Sequence, residues 1–508
     1  MSAGRGTATA AHVAATDQPW DLVVIGGGSA GIVGAKTATR LGARVLLVER
    51  ERTGGDCLWT GCVPSKALVA AAGEASGARH GHRLGIDVAG VSVDFAKVMD
   101  HVRAAIQHIA PIDSVEALEE AGVSVRTAQA RFTGPDSVEI DGVSVRFRQA
   151  LVATGASPAV PPIPGLDEAD YLTSDTVWGL TELPDDLVVL GGGTIGCELG
   201  QAFARLGSRV SVVEGASRIL PREDPLAAAE VTRSLVEDGV VLHTGSGVAR
   251  VEATAGSSGV LHLESGQQVP FSRLLVAVGR APRTRDVGLD AAGVEVDDRG
   301  FVVVDALLRT THPRIWAAGD LTGHPQFTHT ASVHASLAAS NAILGVRRKV
   351  DLTAIPRVTF TDPEVAAVGL ETDRVPAGLR TVDWPYSHVD RAVAEGAPEG
   401  FARLVIDTSG HVLGATVVGR RAGETLGELT LAITQGLTTR DLAGVTHAYP
   451  TYNDGAWNAA ISDVQDQLER PATRRALGLL ARARRWWIGR RSGLTRDRES
   501  PPRSAGRR

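Results

Sequence analysis

The strongest constraint on the fold is a segment of 30 residues that occurs twice, 165 positions apart. Residues 21–50 and 186–215 are identical at 15 positions, and each contains an apolar run, a glycine-rich turn, a helical stretch and a second apolar run. This order predicts a strand–helix–strand unit with two buried parallel strands. Because the separation far exceeds the roughly 20–50-residue period of a solenoid, the repeat predicts two similar domains.

Each copy carries the turn sequence G-x-G-x-x-G and an acidic residue at the end of its second strand. These residues are Gly26, Gly28, Gly31 and Glu49 in the first copy, and Gly191, Gly193, Gly196 and Glu214 in the second. Such glycines permit a tight turn, the approach of a pyrophosphate and close helix–strand packing, while the helix N-terminus offers N–H groups to the phosphates. The alternative is a pair of glycine-rich turns in ordinary α/β units, but strand, turn, helix and acid recur together. We therefore predict two dinucleotide-binding domains.

Composition places the chain among folded proteins. A length of 508 residues predicts about three or four domains, and 43% hydrophobic with 22% charged residues excludes a disordered chain or a collagen. Three cysteines cannot form the framework of a small secreted module, and no apolar run reaches the roughly 18 residues of a membrane span. Residues 1–19 lack the apolar core of a signal peptide, so we expect them to be disordered and the protein to be cytoplasmic.

Basic residues are concentrated at the C-terminal end. Residues 471–508 hold twelve arginines against two acidic residues, a local charge of +10, and the rest of the chain carries −16. The acidic body argues against nucleic acid as a partner. Apolar tail residues, including Trp486 and Trp487, recur at helical spacing among the arginines, which is typical of a helix on an anionic membrane surface. We nevertheless expect a solvated, disordered tail, which could fold over the acidic body, and keep membrane contact as the alternative; after Arg491 we expect disorder in either case.

Residues 54–66, GGDCLWTGCVPSK, hold two of the three cysteines. Cys57 and Cys62 lie five positions apart at the entry to a predicted helix, whose N-terminus favours the thiolate. Two thiols so close in a chain nearly free of cysteine predict a redox pair. The alternatives are a packing pair and half of a metal site, but C-x4-C without further nearby ligands is poor zinc spacing, so we expect no resident metal.

Across residues 21–460 the chain resembles the pyridine nucleotide–disulfide oxidoreductases, the flavoenzymes that include dihydrolipoamide dehydrogenase, glutathione reductase and mercuric reductase. The resemblance rests on both dinucleotide motifs, the cysteine segment and four further motifs. These are Ala153-Thr154-Gly155, Val278-Gly279-Arg280, residues 315–320 (IWAAGD) and residues 360–364 (FTDPE). It implies an α/β fold with two Rossmann-like domains, one for FAD and one for NAD(P), and a C-terminal α+β dimerisation domain.

The resemblance also implies where these domains begin and end, and that the protein is a homodimer. The FAD domain takes residues 20–160 and 281–350, the NAD(P) domain 161–280, the dimerisation domain 351–469 and the basic tail 470–508.

Single residues acquire roles from the same resemblance. The expected FAD contacts are Gly26, Gly28, Gly31, Glu49, Lys66, Thr154, Gly155 and Asp320, and the expected NAD(P) contacts are Gly191, Gly193, Gly196, Glu214 and Gly279. Lys66 is expected at the N5 edge of the flavin, in an ion pair with Glu198. Cys62 is expected to form the thiolate beside the flavin, and Cys57 to be the exchange thiol.

The choice between NADH and NADPH depends on Glu214. A carboxylate at this position accepts both hydroxyls of an NADH ribose and repels a 2′-phosphate. Arg218 lies four residues later, where it either binds the 2′-phosphate of NADPH or bonds the carbonyls of a local turn. We expect NADH, with NADPH as the alternative.

The chain departs from the family at residues 447–454, HAYPTYND. Disulfide reductases of this family carry His-x-His-Pro-Thr-x-Ser-Glu there, so Tyr449 replaces the acid–base histidine and Asp454 replaces its glutamate partner. An unperturbed tyrosine, with a pKa of about 10, is a poor general base. His447 is expected to point the same way as Tyr449 and to substitute only with a backbone shift. Turnover of lipoamide or glutathione disulfide is therefore expected to be weak.

Mercuric reductase also has a tyrosine in this region, which favours a metal ion or another soft acceptor, but it supplies additional C-terminal cysteines. Here the third cysteine, Cys197, lies in the second dinucleotide helix and is expected to serve packing. We predict an FAD-dependent NAD(P)H oxidoreductase that passes electrons through a Cys57–Cys62 disulfide to a disulfide, a quinone or a metal ion. The alternatives are a dihydrolipoamide dehydrogenase, an FAD-binding redox sensor with little turnover, and a two-dinucleotide oxidase that uses the cysteines little.

Overall fold

The computed structural model describes residues 18–254, 256–372 and 375–496, with side chains described as far as residue 490. The predicted disorder at residues 1–17 and 497–508 lies outside the described residues. The strands are β1 (Trp20–Ile25), β2 (Val45–Glu49), β3 (Ser124–Thr127), β4 (Ala130–Gly134), β5 (Ser137–Ile140), β6 (Val143–Val152), β7 (Ala156–Pro158), β8 (Leu172–Thr173), β9 (Asp186–Leu190), β10 (Arg209–Glu214), β11 (Val241–Thr244), β12 (Val248–Ala253), β13 (Gly259–Leu263), β14 (Gln268–Phe271), β15 (Arg273–Val276), β16 (Arg280–Pro282), β17 (Ile315–Ala317), β18 (Arg357–Thr359), β19 (Glu364–Gly369), β20 (Arg380–Pro385), β21 (Phe401–Ile406) and β22 (Val412–Gly419). The helices are α1 (Ser29–Arg40), α2 (Gly55–Trp59), α3 (Cys62–Arg79), α4 (Phe95–Ile109), α5 (Val115–Glu120), α6 (Thr194–Leu206), α7 (Pro225–Glu237), α8 (Thr328–Leu344), α9 (Asp390–Ala394), α10 (Ala422–Gln435), α11 (Thr439–Gly444), α12 (Asp454–Glu469) and α13 (Pro471–Arg496).

The first dinucleotide copy forms the centre of a sheet with the order β3-β2-β1-β6-β5-β4, to which β17 adds by pairing with β6. β1 runs parallel to both β2 and β6, and its Leu22 lies opposite Val45 and Gln149. Alternate residues of β1 enter different cores, Leu22 and Val24 on one face and Val23 on the other. The strand is therefore buried on both faces, which explains its unbroken apolar sequence.

The second copy forms its own parallel sheet, with the order β11-β10-β9-β15-β8. β9 and β10 are parallel neighbours, with Asp186 opposite Arg209. The two sheets are linked where β7 pairs antiparallel with β16, at the two points where the chain crosses between them. The cleft described below lies beside these crossings.

The C-terminal part is an antiparallel sheet with the order β18-β19-β22-β21-β20. Its core includes Tyr386 and Leu404 from the sheet side and Leu426 and Ala459 from α10 and α12. The first α/β unit, whose sheet is parallel around β1 and antiparallel at β4–β6, the second, parallel α/β unit and this α+β unit confirm the predicted fold class.

The basic tail forms α13, a helix with an exposed apolar side. Leu479, Leu480 and Trp486 are 64%, 65% and 61% exposed. The helix continues to Arg496, so the predicted disorder of the tail is wrong over its described residues. Within the described part of the chain, no helix is long and apolar enough to cross a membrane.

Candidate active site

The site is a cleft of about 2020 Å³ lined by residues of both parallel sheets and of the C-terminal part. The predicted residues that line it are Gly26, Gly28, Glu49, Cys57, Cys62, Lys66, Thr154, Gly155, Gly191, Gly193, Glu198, Glu214, Gly279 and Asp320. Gly31 and Gly196 lie behind the turns, inside α1 and α6. Tyr449 and Asp454 lie outside the cleft, in the C-terminal part of the chain.

The first glycine-rich turn is built so that only glycine fits where it is tightest. Gly26 has a φ of +106°, and a Cβ there would lie 2.4 Å from the Ala153 carbonyl oxygen. A Cβ on Gly31 would lie 1.8 Å from the Gly26 oxygen. A Cβ on Gly28 would meet only Gly55, at 3.7 Å, so the bare backbone of Gly28 faces the cleft, where a diphosphate can approach it.

The acidic residue of each copy is fixed by two backbone N–H groups. Glu49 accepts hydrogen bonds from Gly27 N at 2.6 Å and from Glu51 N at 2.9 Å. Glu214 accepts in the same way, from Gly192 N at 2.7 Å and from Ala216 N at 2.8 Å. Each carboxylate therefore holds the glycine-rich turn while facing the cleft.

The arginines near Glu214 occupy different places. Arg218 donates to the Leu220 carbonyl oxygen at 2.9 Å, which is the local-turn arrangement. Arg222 lines the cleft and was not singled out from the sequence, because no motif marks it.

Cys57 and Cys62 form a hydrogen-bonded thiol pair where α2 is followed by α3. Cys57 lies in α2, and Cys62 is the first residue of α3. The hydrogen bond from Cys57, with smaller contributions from Thr328 and Lys66, outweighs the effect of burial and lowers the pKa of Cys62 to about 6. The same bond, together with burial, raises the pKa of Cys57. The pair therefore titrates as a unit whose negative charge rests on Cys62.

Thr328 supplies a second helix terminus to this thiolate. Its hydroxyl lies 3.3 Å from Cys62 Sγ, and it is the first residue of the 17-residue helix α8. The partial positive charge of a helix N-terminus favours an anion there. The sequence analysis missed Thr328, since it lies 266 residues from Cys62.

Lys66 lies one helical turn beyond Cys62 and is held by an ion pair. Its Nζ is 2.7 Å from Glu198 Oε2, and Glu198 itself is buried. Phe360 N donates to Glu198 Oε1 at 2.8 Å, and Lys66 Nζ lies 4.3 Å from the centre of the Phe360 ring.

A network of five charges lies along the cleft beside the cysteine segment. Asp56 accepts from Arg280 and, at 3.2 Å, from Arg283. Arg283 is 3.5 Å from Asp175, and Arg280 is 3.5 Å from Asp320. Burial raises the pKa of both Asp175 and Asp320. Of this network, the sequence analysis assigned a role only to Asp320.

These residues fit a bound dinucleotide such as FAD. The turn at Gly28 leaves its backbone open, Glu49 is oriented for a ribose, and arginines line the same cleft. Arg280 Nε is buried and makes no hydrogen bond among the described residues, with Asp320 Oδ2 as an ion-pair neighbour at 3.5 Å. An oxygen of a bound ligand would accept a hydrogen bond from this nitrogen and so remove the free-energy cost of burying it without a partner.

Tyr449 lies on the surface of the single chain, outside the cleft that holds Cys57 and Cys62. It is 68% exposed, and its hydroxyl donates to Asp390. This bond raises the pKa of Tyr449, so the phenol keeps its proton at neutral pH. Asp454 is buried and accepts from Thr451 N at 3.1 Å.

His447 is turned away from Tyr449 rather than sharing its side as predicted. Its Nε2 lies 2.8 Å from Glu428 in α10, and its ring stacks on Trp457 in α12. Tyr449 instead contacts Asp390 in α9. These contacts leave only 7% of the His447 side chain exposed and hold its ring away from Asp390, the partner of Tyr449.

The fold and the site define a flavoprotein disulfide oxidoreductase with two dinucleotide domains and a dimerisation domain. Residues 20–335 match the family described as pyridine nucleotide-disulphide oxidoreductase, and residues 355–460 match its dimerisation domain. The chain belongs to this family, which uses FAD with NAD(P)H as the electron donor and forms homodimers. Among the described residues, no group of three or more His, Cys, Asp or Glu is placed to hold a metal ion.

Named relatives cover nearly the whole chain. Mercuric reductase of Streptomyces lividans is 38% identical over 461 residues, which is 88% of this chain and 97% of that protein. Dihydrolipoyl dehydrogenase of Chlamydia muridarum is 34% identical over 469 residues, or 90% of this chain and 100% of that protein. Among solved structures, the Cu(II) complex of the HOCl-induced flavoprotein disulfide reductase RclA from Escherichia coli has a TM-score of 0.79 and 28% identity, covering 88% of this chain and 100% of that one.

Proposed function

We propose that the protein is an NADH-dependent flavoenzyme that passes two electrons through the Cys57–Cys62 pair to a soft metal ion. The observation that carries this proposal is the thiol pair at the cleft, in which the Cys62 pKa lies at about 6. FAD, when bound, supplies the two-electron transfer between NADH and the cysteines.

The residues around the pair keep its charge on one sulfur. Lys66 and Thr328 stabilise the Cys62 thiolate, while Cys57 keeps its proton and donates a hydrogen bond to Cys62 Sγ. When the pair gives up two electrons, one thiol and one thiolate become a disulfide and release one proton. A divalent ion that gains both electrons is reduced to the metal.

Tyr449 is the reason to favour a metal ion over a disulfide. Disulfide exchange depends on a group that carries a proton to and from the exchange thiol, whereas Asp390 keeps Tyr449 protonated. Thiolates bind a soft ion without such a group. The relatives named mercuric reductase and the Cu(II) complex of RclA support the same acceptor class.

The acceptor is tested by giving the NADH-reduced holoenzyme Hg(II), Cu(II), lipoamide, glutathione disulfide and a quinone in parallel. We expect a metal ion to be reduced faster than either disulfide, and Cys57→Ser to lose this activity. Cys197→Ala is the matched control, because this cysteine is buried in α6.

Each other result points to a different function. Faster turnover of lipoamide contradicts the proposal and establishes a dihydrolipoamide dehydrogenase. A faster quinone reaction replaces the metal ion as the acceptor, and slow turnover with every compound indicates a redox sensor. Undiminished activity in Cys57→Ser indicates an oxidase that does not use the pair.

Glu214 supports NADH as the donor. Its carboxylate is fixed at the cleft by Gly192 and Ala216, so a 2′-phosphate placed against it meets a like charge. Arg218 is engaged with Leu220.

We also propose that the protein is a cytoplasmic homodimer whose α13 rests on an anionic membrane surface. The helix combines exposed leucines and tryptophans with arginines, as interfacial helices do. Arg484 and Arg490 lie over the rings of Trp487 and Trp486, at 4.5 Å and 4.3 Å, so these arginines interrupt the apolar side less than their charge suggests.

The tail is tested by sedimentation with phosphatidylserine vesicles. We expect binding at low salt and release as salt rises. A chain ending at Glu469 should stay in solution, and equal binding by both forms would exclude α13 from membrane contact.

A further inference from the structure

We propose that Phe360 is a positioning residue for Lys66: its ring holds the ammonium group beside Cys62 and so helps to keep that sulfur ionised. The inference rests on the proposed function of the cysteine pair and assigns to it a residue outside both dinucleotide domains.

Phe360 contacts both members of the Lys66–Glu198 ion pair through different groups. Its backbone N–H donates to Glu198 Oε1 at 2.8 Å, and its ring centre lies 4.3 Å from Lys66 Nζ. A cation within about 6 Å of an aromatic ring centre is attracted to the face of the ring. The backbone contact survives any substitution, so the contribution of the ring is separable from that of the amide.

The position of Lys66 depends on this second attachment. Its side chain is 38% exposed and flexible, with a charge at the end of a four-carbon stem. Glu198 and Cys62 attract the same ammonium group, since Lys66 lowers the pKa of Cys62. A ring against the ammonium limits its movement into solvent, and so keeps it within reach of both anions.

The three groups come from three parts of the chain. Lys66 lies in α3, Glu198 in α6, and Phe360 directly after β18. All three line the cleft. The ionisation of Cys62 is thereby linked to the placement of the C-terminal sheet, a link that the cysteine segment alone does not reveal.

The test is the pH dependence of Cys62 in the holoenzyme with Phe360→Leu, which removes the aromatic face and keeps an apolar side chain. Two readouts are followed. The first is the long-wavelength charge-transfer absorbance of the two-electron-reduced enzyme, which a Cys62 thiolate would produce by donating into the oxidised flavin. The second is the rate of alkylation of Cys62 by iodoacetamide. We expect both midpoints to rise by at least about 0.5 pH unit. Phe360→Tyr should restore the wild-type midpoint.

Two controls separate this role from a structural one. Phe401→Leu removes a ring that lies 5.2 Å from Arg403 in the same C-terminal sheet, and it should leave both midpoints unchanged. In a Lys66→Met background, Phe360→Leu should produce no further shift, because the ring then has no cation to hold.

Phe360→Met replaces Phe360→Leu if the leucine variant does not bind FAD. Wild-type midpoints in either variant, with the absorbance band intact, would overturn the role of Phe360 and leave the proposed function standing. A wild-type enzyme without the band and without an acidic Cys62 would overturn both.

Discussion

Two regions of the molecule carry the chemistry that this family performs on disulfides, and in this chain they differ. Around the cysteines, Cys62 is surrounded by Cys57, Thr328 and Lys66, all of which favour its thiolate. At residues 447–454 the acid–base position holds an exposed tyrosine that donates to Asp390. The first region has the thiol pair that the resemblance predicts, and the second has a tyrosine where the resemblance predicts an acid–base histidine.

The largest effect is expected from Cys62→Ser, which tests the first region. Removing one member of a group that acts as a unit costs more than about a thousandfold in turnover. Reduction of the flavin by NADH should persist, because the nicotinamide side of the cleft is unchanged. Stopped-flow absorbance separates the two steps, and acceptor turnover close to wild type would show that electrons bypass the pair.

The second prediction tests the second region. Tyr449→His supplies a group with a pKa near neutrality, and general acid–base help is worth about a hundredfold or more. We expect lipoamide turnover to rise by about a hundredfold, while metal-ion reduction changes little. Tyr449→Phe is the control and should alter neither rate. High lipoamide turnover in the wild type would contradict the contrast between the two regions.

The sequence predicts those parts of the site that are formed by residues close together in the chain. The repeated strand–turn–helix–strand units are local patterns, so Gly26, Glu49 and their counterparts in the second copy were found from spacing alone. The cysteine pair is local as well. The surroundings of the pair are not, since Thr328 reaches Cys62 and Phe360 reaches Lys66 from distant parts of the chain. Their side chains carry no charge, and although Phe360 opens the FTDPE motif, the motif does not indicate a contact with Lys66.

The orientation of His447 was beyond the sequence for a related reason. An alternating pattern places residues two apart on one side of an extended chain, but contacts with other parts of the fold can override this local preference. Glu428 hydrogen-bonds the His447 ring and Trp457 stacks on it, and these tertiary contacts determine the orientation of the ring.

The third prediction concerns Glu214, at the part of the cleft where NADH is expected to bind. Glu214→Gln keeps an acceptor for the N–H groups of Gly192 and Ala216 but removes the charge. We expect the preference for NADH over NADPH to fall by about tenfold, measured as the ratio of flavin reduction rates. Arg222→Ala should lower the rate of flavin reduction by NADPH, while Arg218→Ala should leave that rate unchanged. Equal rates with both donors in the wild type would refute the role of Glu214.

The smallest effect is expected from Thr328→Val, which removes a hydroxyl and nearly preserves shape. This hydroxyl lowers the pKa of Cys62, so its loss raises that pKa. Cys62 is a thiolate above its pKa of about 6 and loses its charge as pH falls through this value. The variant should therefore lose the long-wavelength absorbance at a pH about one unit higher. At pH 7 this corresponds to about a twofold loss of thiolate, and Thr328→Ser should behave as the wild type. An unchanged midpoint in Thr328→Val would leave Cys57 and Lys66 as sufficient side-chain causes of the acidic thiol, and the Thr328 hydroxyl would then have no part in it.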